Sequence, residues 1–383
     1  MTAVLVTLAI VGLAFRFLPA SVDSARRSAG HVVAQLSAGL EAAPIRAGTA
    51  LSATPRGASI GDPATRALDP PAPRQTYPHI VPGDGEPLVV QSHSFGFNGS
   101  QVTVTPAVDP RVYRGAASAV RVMTELPGES RADWERTFNR FLVLDRAQSP
   151  AIDSVCRQLR AYATDKGLDR DQYLELLAKY VQSMPYATER LGDARAGQAF
   201  PIETIVDARG VCGDKALLLA ALLSHEGYAC ALLTFDAERH AAVGVKGPGP
   251  TYPGTDYLFL ETTSPTYVSE IPSVYVGGIT LKSTPVVTPI GAGTGTYGAA
   301  ADVARIVRAR DRAAESAKQL LRNAEAQQLS ASEARSVNAK LDQAFQAQLQ
   351  LQSNVTDLST GKVGEILDRT QAISWLNKNA WWE

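Results

Sequence analysis

The sequence predicts an α+β protein in which a buried helix packs against an antiparallel sheet. Residues 217–223 form an unbroken apolar run directly after the turn-like stretch 209–216, and such a run is typical of a helix buried around most of its circumference. Two strand-like runs, 240–245 and 256–261, are joined by a loop rich in Gly and Pro, which predicts an antiparallel pair. Helical periodicity also dominates residues 151–184.

Length and composition place the chain among globular proteins and exclude several functional classes. The chain has 383 residues, 45% of them hydrophobic, and a formal net charge of -1. Because it has no basic surplus to neutralise phosphates, we expect no nucleic-acid partner. Its three cysteines cannot form a disulfide framework, and the absence of a CxxC pair or a His-rich tract gives no indication of zinc. We therefore expect neither a metal nor a cofactor.

The first residues have the character of a targeting segment. Residues 3–15 are almost entirely apolar, and Arg16 follows them. A membrane span needs about twenty apolar residues, so the block is closer to the apolar region of a signal peptide. We interpret residues 1–20 as a signal peptide or an uncleaved anchor, with a buried first helix as the alternative. The protein is then expected outside the cytoplasm, either secreted or tethered to a membrane through residues 3–20.

Two further regions precede the main helices. Residues 21–78 include a stretch rich in Pro, Ala, Gly and Thr, which cannot bury enough apolar surface to offset the entropy of ordering, so we expect a low-complexity tether. Residues 79–145 predict a β-rich lead-in. Within it, Leu88–Val90 is a strand candidate, and residues 94–104 predict a hairpin that turns at Asn98 and Gly99.

A helical segment closes this lead-in, and two longer helices follow it. Trp134, Phe138 and Phe141 recur at helical spacing within residues 130–141, as do apolar residues in 151–165 and 169–184. Gln182 lies near the end of the last helix. Its amide is a candidate donor to an oxyanion site, with a solvated polar position as the alternative.

Cys212 is the candidate nucleophile. It lies between Gly210 and Gly213, at the start of a helix predicted over residues 213–225. The glycines allow a tight turn and a close approach of substrate to the backbone, while the helix amides favour a thiolate. The alternative is a structural thiol in a tight turn. A buried strand is predicted next, at residues 228–235.

Two histidines follow Cys212 in the chain. His225 ends the helix that Cys212 begins, roughly 20 Å away along the axis, and cannot reach the thiol. His240 opens a predicted strand. If the next hairpin is symmetric about Pro250 and Thr251, His240 lies opposite Glu261, about 5 Å away at Cβ. A slip by one residue would move the carboxylate to the other face, and a plain strand-end charge is the alternative for Glu261.

As an ordered set, these residues resemble the transglutaminase-like superfamily, in particular its bacterial and archaeal members. The resemblance covers roughly residues 150–275. It is carried by Val181-Gln182-Ser183-Met184-Pro185-Tyr186, Gly210-Val211-Cys212-Gly213-Asp214-Lys215, Arg239-His240 and Leu260-Glu261-Thr262-Thr263. It implies a papain-like transglutaminase core, a buried nucleophile helix against an antiparallel sheet, within a catalytic domain of residues 146–280.

The resemblance also implies roles for the site residues. Cys212 would be the nucleophile, His240 the general base and acid, and Glu261 the group that orients the imidazole, although the third residue of the family is usually Asp. Gln182 and Gly213 are candidates for the oxyanion or substrate site. The expected enzyme is a cysteine peptidase, amidase or acyltransferase that acts on a protein or peptide through an acyl-thioester. No aromatic or calcium signature of the animal cross-linking enzymes is present, so hydrolysis and transamidation both stay open.

The last part of the chain is predicted to be helical. Gly, Thr and Pro mark residues 281–298 as a linker. Apolar residues then recur at helical spacing, and Ser330 and Glu333 form a capping box that starts another helix. We expect residues 299–383 to form an antiparallel helical hairpin or a coiled-coil contact through which the protein self-associates. A non-catalytic scaffold that assembles through this tail is the alternative to an enzyme.

Overall fold

The computed structural model describes residues 68–273, 275, 279–326, 330–351, 356–357, 362–363 and 368–379. The predicted signal or anchor segment and most of the predicted tether lie outside these residues. The described part of the chain divides into two compact units, one formed by residues 68–271 and 281–301 and the other by those from 272–280 and 302–379. In neither unit do the described residues include a helix with the length and apolar character needed to span a membrane.

The first unit begins with a segment that hydrogen bonds hold in place. The guanidinium of Arg74 pairs with the Glu129 carboxylate at 2.5 Å and also donates to the carbonyl of Thr124. The amide of Thr124 donates in turn to the carbonyl of Thr76. The sequence predicts a tether for residues 68–78 because they offer little apolar surface. Polar and backbone contacts hold them against the folded unit instead.

The predicted hairpin of the lead-in is confirmed. Strand β1 (His93–Phe97) pairs antiparallel with β2 (Ser100–Val104). Asn98 and Gly99 between them have positive φ angles of 49° and 72°, the conformation that a two-residue type I′ turn requires. The strand predicted at Leu88–Val90 is wrong. These residues are irregular, and Val89 is 85% exposed, because the short apolar run has no partner strand.

Helices make up most of the rest of this unit, and those that the sequence predicted begin close to their predicted starts. Ser130 caps the second helix by accepting a hydrogen bond from the amide of Asp133, and Asp169 caps the fourth with a capping box to Gln172. The helices of this unit are α1 (Pro110–Ser118), α2 (Arg131–Leu144), α3 (Ser149–Asp165), α4 (Arg170–Gln182), α5 (Pro201–Asp207) and α6 (Cys212–His225).

A four-stranded antiparallel sheet carries the core. Its strands are β3 (Ala229–Phe235), β4 (His240–Val245), β5 (Leu258–Leu260) and β6 (Val286–Ala292), in the order β5-β4-β3-β6. Helix α6 packs against three of these strands, β3, β4 and β6, and Leu217 to Leu223 are all buried. The architecture is therefore mixed α+β, with a buried central helix on an antiparallel sheet.

Strand β6 corrects the linker predicted at residues 281–298. It pairs with β3 along the outer edge of the sheet, and Pro289 lies opposite Ala231 next to a shift in register. A proline cannot donate to a ladder of hydrogen bonds, but an edge strand with an irregularity accommodates it. The Gly, Pro and Thr content of this region therefore concealed a strand.

The register between β4 and β5 differs from the symmetric hairpin. Val243 pairs with Leu260 and Gly244 with Phe259, so the partner of each β4 residue lies two positions further along the chain than predicted. The reason is a turn in the connecting loop, in which the amide of Tyr252 donates to the carbonyl of Tyr257. Because the side-chain period of a strand is two, this shift leaves every side chain on its predicted face.

Lys215 lies in the core, where its ammonium joins two segments that flank α6. The side chain is fully buried, and Nζ donates to the carbonyls of Gln182 (3.1 Å), Met184 (2.9 Å) and Thr263 (3.2 Å). Burial lowers the pKa of Lys215 to about 7. The three carbonyl acceptors favour the charged ammonium form, because they match its three donors. The end of α4 is thereby tied to the segment that follows β5.

The second unit contains the predicted long helices, α7 (Ala300–Ala326) and α8 (Ala331–Leu351), and the shorter α9 (Arg369–Lys378). The capping box at the start of α8 is confirmed, since Ser330 and Glu333 exchange backbone-to-side-chain hydrogen bonds. Arg369 pairs with Asp302 at 3.1 Å. The strands β7 (Thr356–Asp357) and β8 (Lys362–Val363) pair antiparallel. The helical-hairpin packing and self-association stay predictions.

We expect Lys215→Met to destabilise the first unit by about 2–4 kcal/mol, because three buried carbonyls would lose their donor. Urea denaturation followed by tryptophan fluorescence measures the change. Lys282→Met is the matched control, because Lys282 is exposed, and a surface substitution of this kind stays within about 0.5 kcal/mol. Equal stability of the two variants would contradict the clamping role of Lys215.

Candidate active site

Cys212 is the first residue of α6 and is partly exposed. The carboxylate of Asp214 holds the start of this helix, since it accepts hydrogen bonds from the amides of Ala199 (3.0 Å) and Val211 (3.2 Å) and pairs with Arg190 at 2.9 Å. Asp214 is fully buried, and burial raises its pKa. The thiol therefore stands at a helix N-terminus whose position is fixed by the preceding loop.

Gly213 allows that loop to pass against the first turn of α6. A Cβ at Gly213 would lie 2.6 Å from the Cα and 2.7 Å from the carbonyl oxygen of Gly197, closer than non-bonded atoms approach. The contact explains why glycine follows the cysteine. The contribution of the Gly213 amide to an oxyanion site stays a prediction.

His240 and Glu261 form a buried pair beside the helix start. Nε2 of His240 lies 3.0 Å from a carboxylate oxygen of Glu261, and their side chains are only 3% and 1% exposed. The other carboxylate oxygen accepts hydrogen bonds from the amide and the hydroxyl of Thr263, at 2.7 and 2.5 Å. Glu261 reaches His240 diagonally across the two strands rather than from the directly opposite position.

The imidazole of His240 also interacts with the thiol of Cys212, and this interaction contributes to the raised pKa of His240. Because Nε2 is taken by Glu261, Nδ1 is the ring nitrogen that remains for sulfur. Sγ of Cys212 lies 3.9 Å from the carbonyl oxygen of Arg239 as well. Arg239 has a left-handed φ of 53°, and the residue before it, Glu238, accepts hydrogen bonds from the amides of Lys282 and Ser283. The hydrogen bonds from Lys282 and Ser283 thus hold the turn before β4 in place, with the carbonyl of Arg239 next to the thiol.

The charges of the site favour an imidazolium. Burial by itself would lower the pKa of His240, but the Glu261 carboxylate and the contact with Cys212 outweigh it and raise the pKa to about 10. Burial would likewise raise the pKa of Glu261, yet the charge of His240 and the hydrogen bonds from Thr263 lower it. At neutral pH the pair consists of a carboxylate and a protonated ring that faces the thiol.

The structure corrects the role predicted for Gln182. Its side-chain amide donates to the carbonyls of Glu261 (2.8 Å) and Thr266 (3.1 Å) and is buried. Both amide hydrogens are therefore committed to backbone acceptors. Gln182 positions the segment that carries Glu261, and its amide does not point to a substrate.

Tyr186 is the site residue that sequence reasoning did not assign to a role. Its backbone forms a parallel bridge with Gly210, two residues before Cys212, and its phenol is close enough to Cys212 to interact with it electrostatically. Burial, followed by the proximity of the Cys212 thiol, raises the pKa of Tyr186. The motif Met184-Pro185-Tyr186 gave no signal of this contact, which depends on how the end of α4 meets the start of α6.

The site thus unites Cys212, His240, Glu261 and Tyr186, an arrangement suited to nucleophilic catalysis by a thiol with a histidine as proton carrier. Comparisons with protein-family models, with curated proteins and with solved structures found no match to this chain. We therefore infer the function of this protein from the geometry of the site.

We expect Gly213→Ala to displace the loop around Gly197 and to cost about 1–3 kcal/mol of stability, because the new methyl group would overlap backbone atoms. Urea denaturation measures the cost, and crystallography of the variant shows the displacement. Gly96→Ala is the matched control, since no atom lies within 4 Å of a Cβ at Gly96. An undisturbed loop in Gly213→Ala would contradict the close packing.

The pKa of His240 is raised to about 10, and this value predicts how the ring and the stability of the protein respond to pH. In the folded protein, nuclear magnetic resonance of the ring should show an imidazolium at pH 8, and Glu261→Gln should lower the pKa. Since the folded-state pKa exceeds the unfolded value of about 6.5, the stabilisation is fully present below that value and is lost as pH rises toward 10. Titration of the ring near its ordinary pKa would contradict the ion pair.

Proposed function

We propose that this protein is a cysteine enzyme of transglutaminase-like type that acts on peptide or isopeptide amides through an acyl-thioester at Cys212. The observation that carries the proposal is the buried His240–Glu261 pair, at 3.0 Å, whose ring contacts a thiol at the N-terminus of a buried helix. A structural cysteine needs no such partners, whereas a nucleophile requires a base and a group that orients the base.

The arrangement of elements supports a papain-like core for this enzyme. The nucleophile begins the central helix α6, and the base begins β4, which packs against that helix. The carboxylate follows β5, the next strand of the sheet. This order of helix, strand and strand agrees with the resemblance in sequence. Glu261 stands where the family usually has Asp, and its longer side chain reaches the ring from the diagonal position.

The chemistry follows from the charges. His240 holds the proton taken from Cys212, in the imidazolium form that its raised pKa favours, and the thiolate of Cys212 attacks the carbonyl carbon of a carboxamide. The tetrahedral intermediate collapses to a thioester when His240 donates that proton to the departing amine. An acceptor then gives a proton to His240 and attacks the thioester, which releases the thiol. Water as acceptor completes hydrolysis and an amine completes transamidation.

The developing oxyanion needs donors, and two groups lie at the thiol. The amide of Cys212 is at the N-terminus of α6, where helix amides have no intrahelical partner. The hydroxyl of Tyr186 contacts this same residue. We assign the oxyanion site to these two donors, because Gln182 is bonded to Glu261 and Thr266. Outside the described residues, the apolar segment 3–20 supports an extracytoplasmic location for the enzyme.

Alkylation by iodoacetamide at neutral pH tests the nucleophile. Cys212 should react much faster than Cys156 and Cys230, which are fully buried, and His240→Ala should slow the reaction at least tenfold, since it removes the base. His79→Ala is the control, because His79 is exposed and its contacts are with the carbonyl and the ring of Tyr77, two residues away. A Cys212 that reacts no faster than an unfolded thiol would exclude catalysis and favour the non-catalytic scaffold.

Tyr186→Phe tests the oxyanion donor. With p-nitrophenyl acetate as acyl donor, the burst of p-nitrophenolate should slow by about 10²-fold, the usual cost of losing one such donor. Alkylation by iodoacetamide should keep its rate, because displacement at a saturated carbon forms no oxyanion. Tyr113→Phe, on α1, is the matched control. A parallel loss of both reactions would indicate that Tyr186 acts on the thiol itself and would contradict its role as an oxyanion donor.

A further inference from the structure

A second cluster of chemically active side chains lies at the end of α6 opposite Cys212. Cys156 on α3, His225 at the end of α6 and the adjacent Glu226 each offer one donor atom, and these atoms all lie within 4.8 Å of one another. Cys156 and Glu226 are buried, and the His225 side chain is only 18% exposed. The proposed acyl transfer uses none of these residues.

The hydrogen bonds of the described residues leave one buried nitrogen of this cluster without a partner. Both oxygens of Glu226 pair with the guanidinium of Arg160, and the thiol sulfur of Cys156 lies within 4.8 Å of the same carboxylate. Nε2 of His225 is buried without a hydrogen-bond partner in the described part of the chain. A carboxylate oxygen of Asp153 lies 3.5 Å from this nitrogen, beyond the range of a good hydrogen bond.

The donor types define the class of ion that fits. A thiolate, an imidazole and a carboxylate are the ligands that zinc uses in proteins, in a tetrahedral set whose fourth position is another side chain or water. The end of α6 also favours a cation, because helix carbonyls concentrate negative potential there. Arg160 fixes the orientation of Glu226, the kind of support that outer partners give to metal ligands. Each carboxylate oxygen retains a further lone pair for a metal.

We propose that Cys156, His225 and Glu226 bind a divalent metal ion of the zinc class, with Asp153 or water as the fourth ligand. The ion replaces the proton of the Cys156 thiol, which is released to solvent, and it supplies the partner that Nε2 of His225 lacks. It would tie α3 to the end of α6 as a structural site, separate from the chemistry at Cys212. The ligands are split between distant parts of the chain, so no compact motif marks the site in the sequence.

Cobalt(II) is the probe that tests the site, because a thiolate bound to it gives a charge-transfer band in the near ultraviolet. The full chain carrying Cys212→Ser serves as the background, which removes the catalytic thiol as a competing ligand. We expect the band to appear on addition of Co²⁺ and to disappear when Zn²⁺ displaces it. Cys156→Ser should abolish the band, and Cys230→Ser, at another buried thiol, should keep it.

A second variant keeps the result interpretable if Cys156→Ser fails to fold. His225→Gln leaves the thiol in place and should weaken Co²⁺ binding at least about tenfold, as loss of a ligand or its support does. Zinc should also raise the unfolding temperature of the parent protein, by an amount that grows with the logarithm of the zinc concentration, and should not raise that of His225→Gln. Absence of a charge-transfer band, or a band that survives both substitutions, would overturn the proposal.

Discussion

The three hydrogen bonds of the buried Lys215 ammonium are the interaction on which the candidate site depends. They hold the end of α4 and the residues after β5 on either side of α6. Glu261 lies two residues before the carbonyl of Thr263 that Lys215 binds, and Gln182 fixes the carbonyl of Glu261 itself. The backbone beneath the carboxylate is therefore positioned by buried groups other than Cys212 and His240, as accurate placement of a side chain in the proposed active site requires.

The same arrangement balances charge in a region with little water. Lys215 and His240 are both cations in their protonated forms. Burial lowers the pKa of each, and Glu261 opposes this effect, which leaves the pKa of Lys215 at about 7 and that of His240 at about 10. The single carboxylate of Glu261 therefore faces two side chains that can carry positive charge. Burial would otherwise favour the neutral form of every group. The charge states of Lys215, His240 and Glu261 consequently depend on one another.

The sequence predicted what depends on local pattern and missed what depends on packing. Cys212 and His240 follow from turn chemistry and strand starts, and Glu261 was placed on the correct face although the register was wrong by two positions. Periodicity determines a face, whereas register depends on how a long loop closes, here through a turn at Tyr252. The contact of Tyr186 with Cys212 arises from tertiary packing, which no spacing encodes. Strand β6 was hidden because composition describes a segment without its partner.

The distribution of apolar and polar residues along helix α6 determines which parts of this protein can be substituted independently. Its interior residues are apolar and buried, and its polar groups lie at its two ends, about 20 Å apart. At that separation, substitutions without shared partners have additive effects on stability. Residues around Cys212 and residues around His225 can therefore be altered independently, by evolution or by design, provided that the apolar middle of the helix is preserved. The helix therefore separates two regions of the protein whose sequences can diverge independently.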